Sequence, residues 1–261
     1  MTTQADLARR FDDLHVPGDP VILVNVWDAV SARAVASAPG VRAIATASHA
    51  VSEAHGVSDG EGLDVDTALS VARTVVQSVP LPVTIDFERG YAEDALGVEA
   101  NVARLIETGA VGLNLEDSIP GTAMRPFEDA VTRVAAARAA GEEAGVPIVI
   151  NARVDSLVRG ESFEQAIERA NAYLGAGASV IFMLGLRTEH EVKRAVDEVD
   201  GRVSVMVGSD SVPLATLARL GVSRVSFGPF SQALAMAHLH RAASDLSALG
   251  PYPKELGFRL E

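Results

Sequence analysis

Residues 82–88 (PVTIDFE), 111–117 (VGLNLED) and 147–155 (PIVINARVD) share one pattern: a short apolar, β-branched run that ends in acids or an arginine. Runs of this length, apolar on both faces and bounded by turn residues, read as parallel strands covered on both sides. The chain carries five more, at Val21–Trp27, Val41–Thr46, Val180–Leu184, Val203–Val207 and Val222–Phe227. Between them lie segments such as 97–108, 129–144 and 163–174, whose apolar residues recur at helical spacing, with glycine where a helix ends and the next run begins. Eight strand–helix units in roughly 250 residues predict a closed (β/α)₈ (TIM) barrel. The expectation is a single α/β domain over residues 1–261 with a C-terminal helical extension. An open doubly wound sheet is the competing arrangement, but the G-x-G-x-x-G turn that marks it is missing after the first strand.

Residues two apart on a strand share a face. Asp86 and Glu88 form one such pair and Asn114 and Glu116 another, with Asp117 turned away; Asn151, Arg153 and Asp155 form a third set. With those faces inward, several carboxylates and one guanidinium converge at the barrel mouth. Gathered acids lose hydration and repel, at several kcal/mol per uncompensated charge, and a divalent cation removes that penalty. Oxygen-only ligands select Mg²⁺ or Mn²⁺ rather than zinc, with Mg²⁺ keeping several of its waters. Arg153 is suited to bidentate pairing with a carboxylate or phosphonate. Two connections are long, 47–62 (ASHAVSEAHGVSDGEG, containing Asp59) and 117–126 (DSIPGTAMRP). Both leave the C-terminal face, where barrel active sites lie, and the second reads as a mobile lid.

Composition removes several alternatives. The 261 residues include no cysteine, which excludes disulfides, thiolate metal sites and cysteine nucleophiles. The only lysines are Lys193, in a polar helical stretch, and Lys254, near the C-terminus, so imine chemistry has no good candidate. A net charge of −13 argues against nucleic acid or an anionic membrane as partner. No signal peptide or membrane span is evident, so a cytoplasmic location is expected. His49 and His55 lack metal-ligand spacing, and His238 and His240 do not share a helix face.

Taken together, NVWDAVSARAV (25–35), TASHAVSEAHGVSDGE (46–61), TIDFERGYAED (84–94), GLNLED (112–117), NARVD (151–155), IFMLGL (181–186) and GVSRVSFGP (221–229) resemble the isocitrate lyase/phosphoenolpyruvate mutase superfamily. The resemblance implies a Mg²⁺-dependent enzyme that makes or breaks a C–C or P–C bond beside a 2-oxo acid, through a metal-stabilised enolate. It implies Asp86 as direct metal ligand, with Asp59, Glu88 and Glu116 as outer acids holding the metal's waters. Thr46, Ser48, His49 and Arg153 would bind substrate, and Asp59, Glu116 and Arg153 would take part in catalysis. It also implies dimers or tetramers that exchange a C-terminal helix, here LAMAHLHRAASDLSAL (234–249).

The lid departs from the family. It has neither the lysine-rich Cys-Gly-His motif of the lyases nor the P-K-T-N of the mutase, and FMLGL stands where the lyases carry a glutamate. Isocitrate lyase activity itself is therefore not expected. Ser118, Thr122, Arg125 or a water are the candidate proton donors. The expected substrate is a small 2-oxo or 2-hydroxy carboxylate or a phosphonate, with C–C cleavage preferred to P–C chemistry. A catalytically idle metal- and dicarboxylate-binding relative is the alternative.

Overall fold

The computed structural model describes residues 2–119, 121 and 123–253. Nine parallel strands run around a nearly closed barrel: β1 (Val21–Leu23), β2 (Asn25–Val26), β3 (Ile44–Thr46), β4 (Val83–Asp86), β5 (Gly112–Glu116), β6 (Val149–Val154), β7 (Val180–Met183), β8 (Val203–Met206) and β9 (Arg224–Ser226). The (β/α)₈ expectation holds, with one refinement. The first apolar run breaks at Val24 into β1, which pairs with β9, and β2, which pairs with β3. One run thus serves both edges, and chain continuity across a single residue joins them.

The helices are α1 (Gln4–Asp13), α2 (Ala29–Ala36), α3 (Ser48–Ala54), α4 (Val65–Gln77), α5 (Ala95–Glu107), α6 (Phe127–Glu143), α7 (Phe163–Gly175), α8 (Glu189–Glu198), α9 (Leu214–Leu220) and α10 (Phe230–Ser247). Capping boxes open α1 (Thr3 with Asp6), α7 (Ser162 with Gln165) and α8 (Thr188 with Glu191). Each satisfies helix-end donors that would otherwise be lost, a contribution of about 1 kcal/mol per cap. The 47–62 connection contains α3 and so is not wholly loop: its apolar residues Ala50 and Val51 are buried on one side of a two-turn helix.

The opening residues close the floor of the barrel. The Gln4 amide donates to the carbonyls of Ile106 and Ala110, both at 2.8 Å, and Phe11 is fully buried. A Cβ on Gly112 would lie 2.9 Å from the Phe11 ring and 2.9 Å from Thr84 Oγ1, so glycine at the start of β5 is what lets α1 seat. α10 behaves differently. Gln232 is its one buried residue, while Leu234 and Leu239 are each 63% exposed. No helix among the described residues is long and apolar enough to cross a membrane.

His15 gives this floor a pH dependence. Its Nδ1–H donates to the Phe11 carbonyl at 2.8 Å, its ring meets Phe11 edge-on, and Nε2 has no partner. Burial, reinforced by Arg224, pushes its pKa down to about 3. The folded protein therefore keeps His15 neutral while the unfolded chain protonates near pH 6.5, so stability is lost as pH falls from about 6.5 towards 3. Between pH 7 and 4 the wild type should lose about 3 kcal/mol more stability in urea titrations than His15→Phe. Parallel pH profiles for the two proteins would remove His15 as the cause.

Candidate active site

The cleft at the C-terminal mouth is lined on one side by Asp86, Asn114 and Arg153, from β4, β5 and β6, with Ser48, His49 and Asp59 from the 47–62 segment at its rim. Phe182, Leu184 and Met206 form the opposite wall. Asp86 ends β4, and three neighbours fix it. Its backbone N–H donates to Thr46 Oγ1 at 2.9 Å; its Oδ2 accepts from the Ser48 N–H at 2.9 Å and its Oδ1 from Asn114 Nδ2 at 3.3 Å. Each carboxylate oxygen thus takes one neutral donor and keeps a lone pair.

Asn114 is itself held from below. Its Oδ1 accepts from Asn151 Nδ2 at 2.8 Å and from Arg224 Nη2 at 3.1 Å, which forces its amide nitrogen towards Asp86. Arg224 was not singled out in the sequence. It is 1% exposed, and its Nε and Nη1 have no partner. Burial pushes its pKa down to about 9 against the pull of Asp86. The available signal was an arginine inside the apolar run VSRVSF, where a strand in a barrel has no solvent-facing side.

Glu88 and Glu116 stand behind the cleft rather than on it. The alternation that paired Glu88 with Asp86 stops where β4 stops: Glu88 has φ +47° and turns out of the strand. Its Oε1 accepts from the Tyr91 hydroxyl at 2.7 Å and its Oε2 from the Glu61 N–H. Burial, with Asp86 nearby, raises its pKa to about 7. Glu116 lies between Arg153 Nη1 at 2.6 Å and Arg89 Nη1 at 3.5 Å. Burial outweighs Arg153 there, and Asp155 and Asp86 add to it, so its pKa also rises to about 7.

Arg153 reaches the cleft with its guanidinium already shared. Nε and Nη2 bind the two oxygens of the fully buried Asp155 at 2.6 and 3.1 Å, and Nη1 binds Glu116. Burial works against its charge, but Glu116 and Asp155 hold it firmly protonated.

Glu61 clamps the rim. Its carboxylate accepts from the backbone N–H groups of Arg89 (3.2 Å) and Tyr91 (2.8 Å) and from Arg89 Nη2 (3.2 Å). Glu61, Glu88 and Tyr91 all have positive φ, at 61°, 47° and 54°. Each such residue costs roughly 1–3 kcal/mol, and interlocked hydrogen bonds keep them there. His49 Nδ1 lies 3.6 Å from Asp59 Oδ2 across the same rim.

In the 117–126 connection, Ser118 is buried and its Oγ donates to Glu116 Oε1 at 3.3 Å, while Arg125 Nη1 pairs with Asp129 at 2.9 Å, on α6. Neither lines the cleft. Thr122 lies outside the described residues, as does Lys254.

Comparison with known proteins places this geometry. The model of the phosphoenolpyruvate phosphomutase family matches residues 11–247. The chain belongs to that family. It therefore lies within the isocitrate lyase/phosphoenolpyruvate mutase superfamily, whose members are lyases and mutases. An uncharacterized Mycobacterium tuberculosis protein is 34% identical over 90% of this chain and 89% of its own. The 2-methylisocitrate lyase of Escherichia coli is 34% identical over 45% of this chain and 42% of the lyase. A Burkholderia cenocepacia structure, provisionally assigned as a phosphonomutase, superposes with a TM-score of 0.87 at 37% identity, covering 93% of this chain and 99% of that one.

The acid–arginine packing behind the cleft sets a clear expectation. Arg89→Met would leave Glu61 and Glu116 without a shared counter-charge and should cost about 3 kcal/mol in denaturant unfolding. A loss below about 1 kcal/mol would show that Arg89 does not hold these acids together.

Proposed function

We propose that this protein is a Mg²⁺- or Mn²⁺-dependent lyase that breaks or makes a C–C bond beside the 2-oxo group of a small carboxylic acid. The observation that carries this reading is Asp86: a carboxylate fixed on three sides at a strand end, with both oxygens retaining lone pairs and bordering an open cleft. Among the described residues no three acid or histidine side chains converge as a metal cage. That donor set fits Mg²⁺, which commonly takes one or two carboxylates and fills its octahedron with water. Asp86 would be the direct ligand, with Asp59 facing its waters from the rim; Glu88 and Glu116 would act at longer range. When bound, the cation supplies positive charge to polarise the 2-oxo group.

The chain's own residues account for the rest. Ser48 and Asn114 orient Asp86, and Thr46 fixes its backbone. Arg153 offsets Glu116 and Asp155, so the cleft does not present bare negative charge to an anion. The names of the relatives support lyase or mutase chemistry, and P–C mutase activity is the second reading, favoured by the family model and by the Burkholderia structure.

Mg²⁺ with oxalate should raise the unfolding temperature of the wild type, with about 2.7 kcal/mol of stabilisation at 100-fold excess over Kd, and Asp86→Ala should abolish the shift. A shift retained in Asp86→Ala would sink the metal assignment. Proton NMR of 2-oxo acids, 2-hydroxy acids and phosphonates with Mg²⁺ then reads turnover. Stabilising compounds that are never consumed would mark an idle binder.

The exposed apolar face of α10 supports a dimer or tetramer built through that helix. Light scattering should give a dimer or larger for the wild type and a monomer for Leu234→Glu combined with Leu239→Glu. A monomeric wild type would refute this assembly.

A further inference from the structure

The barrel mouth is divided electrostatically, and the division follows strand order. β4 to β6 contribute Asp86, Asn114 and Arg153, while β7 to β9 with the turns after β7 and β9 contribute Phe182, Leu184, Met206, Ser226 and Pro229. The boundary is a single register pair, Arg153 beside Phe182. On the second half the cleft wall has no charged side chain among the described residues. Its polar side chains are neutral: Ser226 adds one hydroxyl, and the Asn25 amide is spent, Nδ2 donating to the Thr46 carbonyl and Oδ1 accepting from the Phe227 and Gly228 N–H groups, all at 2.8 Å. Gly228 keeps this wall smooth, because a Cβ there would fall 2.6 Å from the Met206 sulfur.

Arg153 is the only arginine or lysine among the described lining residues, and Glu116 and Asp155 already share it. A second carboxylate or a phosphonate on the far part of a substrate would give up its water against Phe182, Leu184 and Met206 with no counter-charge to replace it. An alkyl group would bury apolar surface there instead.

We infer that the substrate is a 2-oxo or 2-hydroxy monocarboxylic acid whose far end is uncharged and apolar, seated against Phe182, Leu184 and Met206. This rests on the reading of the cleft under Proposed function and narrows it, setting aside dicarboxylates and phosphonates.

The matched pair 2-oxopentanoate and 2-oxoglutarate tests it, since they differ in a terminal methyl against a terminal carboxylate. With Mg²⁺ present, calorimetric titration should show 2-oxopentanoate binding about tenfold or more tighter than 2-oxoglutarate. From pyruvate to 2-oxopentanoate, affinity should rise about fourfold per methylene. Leu184→Arg should supply the missing counter-charge and shift the pair's ratio about tenfold towards 2-oxoglutarate; Met206→Lys serves the same purpose if that variant does not fold. Equal or tighter binding of 2-oxoglutarate by the wild type overturns the inference, as does an unchanged ratio in the folded charged variant. Oxalate separates the two levels. A wild type that binds Mg²⁺ with oxalate but shows no alkyl preference overturns only this inference; one that binds neither oxalate nor any oxo acid overturns the metal reading as well.

Discussion

Asp86, Glu88, Glu116 and Asp155 are packed around one rim of the barrel, and the repulsion among them is the constraint to which the surrounding structure answers. Every nearby cation is placed against it. Arg153 takes Glu116 and Asp155 together, Arg89 takes Glu116 and Glu61, and Arg224 lies beneath Asp86 with only the neutral Asn114 between them. Arg224 is the costliest of the three, since it is fully buried and two of its nitrogens bond nothing. The Asp86 carboxylate above it, the Asn114 amide and the Phe11 ring 5.9 Å away offset part of that cost.

The same constraint shapes the backbone. Three non-glycine residues with positive φ lie within the one clamp that joins the first long connection to the end of β4. Left-handed conformations at Glu61, Glu88 and Tyr91 let the Glu61 carboxylate reach two backbone N–H groups and let Glu88 bind the Tyr91 hydroxyl. Strain held by interlocking hydrogen bonds beside a charged cleft is a common way for a site to keep a fixed geometry before substrate arrives.

Membership of the phosphoenolpyruvate phosphomutase family covers residues 11–247 and so the whole barrel. At its mouth the charged side chains of β4–β6 lie beside the apolar Phe182, Leu184 and Met206. Substrate choice within a shared fold is decided at the level of such side chains.

The barrel was legible in the sequence because its parallel strands are covered on both sides and so read as apolar runs, and a strand that ends in Asp86 or Arg153 breaks that run conspicuously. The split of the first run at Val24, the helix α3 inside a presumed loop and the plugging role of α1 were not legible, because each depends on which strand or helix lies alongside. The site divided in the same way. Alternation correctly placed Asn114, Asn151 and Arg153 on inward faces, but it could not reach Glu88, which lies past the end of its strand, or show that Arg153 is already paired. The sequence by itself determined the fold, the family and the acids at the strand ends, since these follow from local periodicity and ordered motifs. Only the tertiary structure decided which acids face the cleft, what holds Asp86 and where charge gives way to an apolar wall, because those depend on contacts such as Arg224 with Asn114, 110 residues apart in the chain.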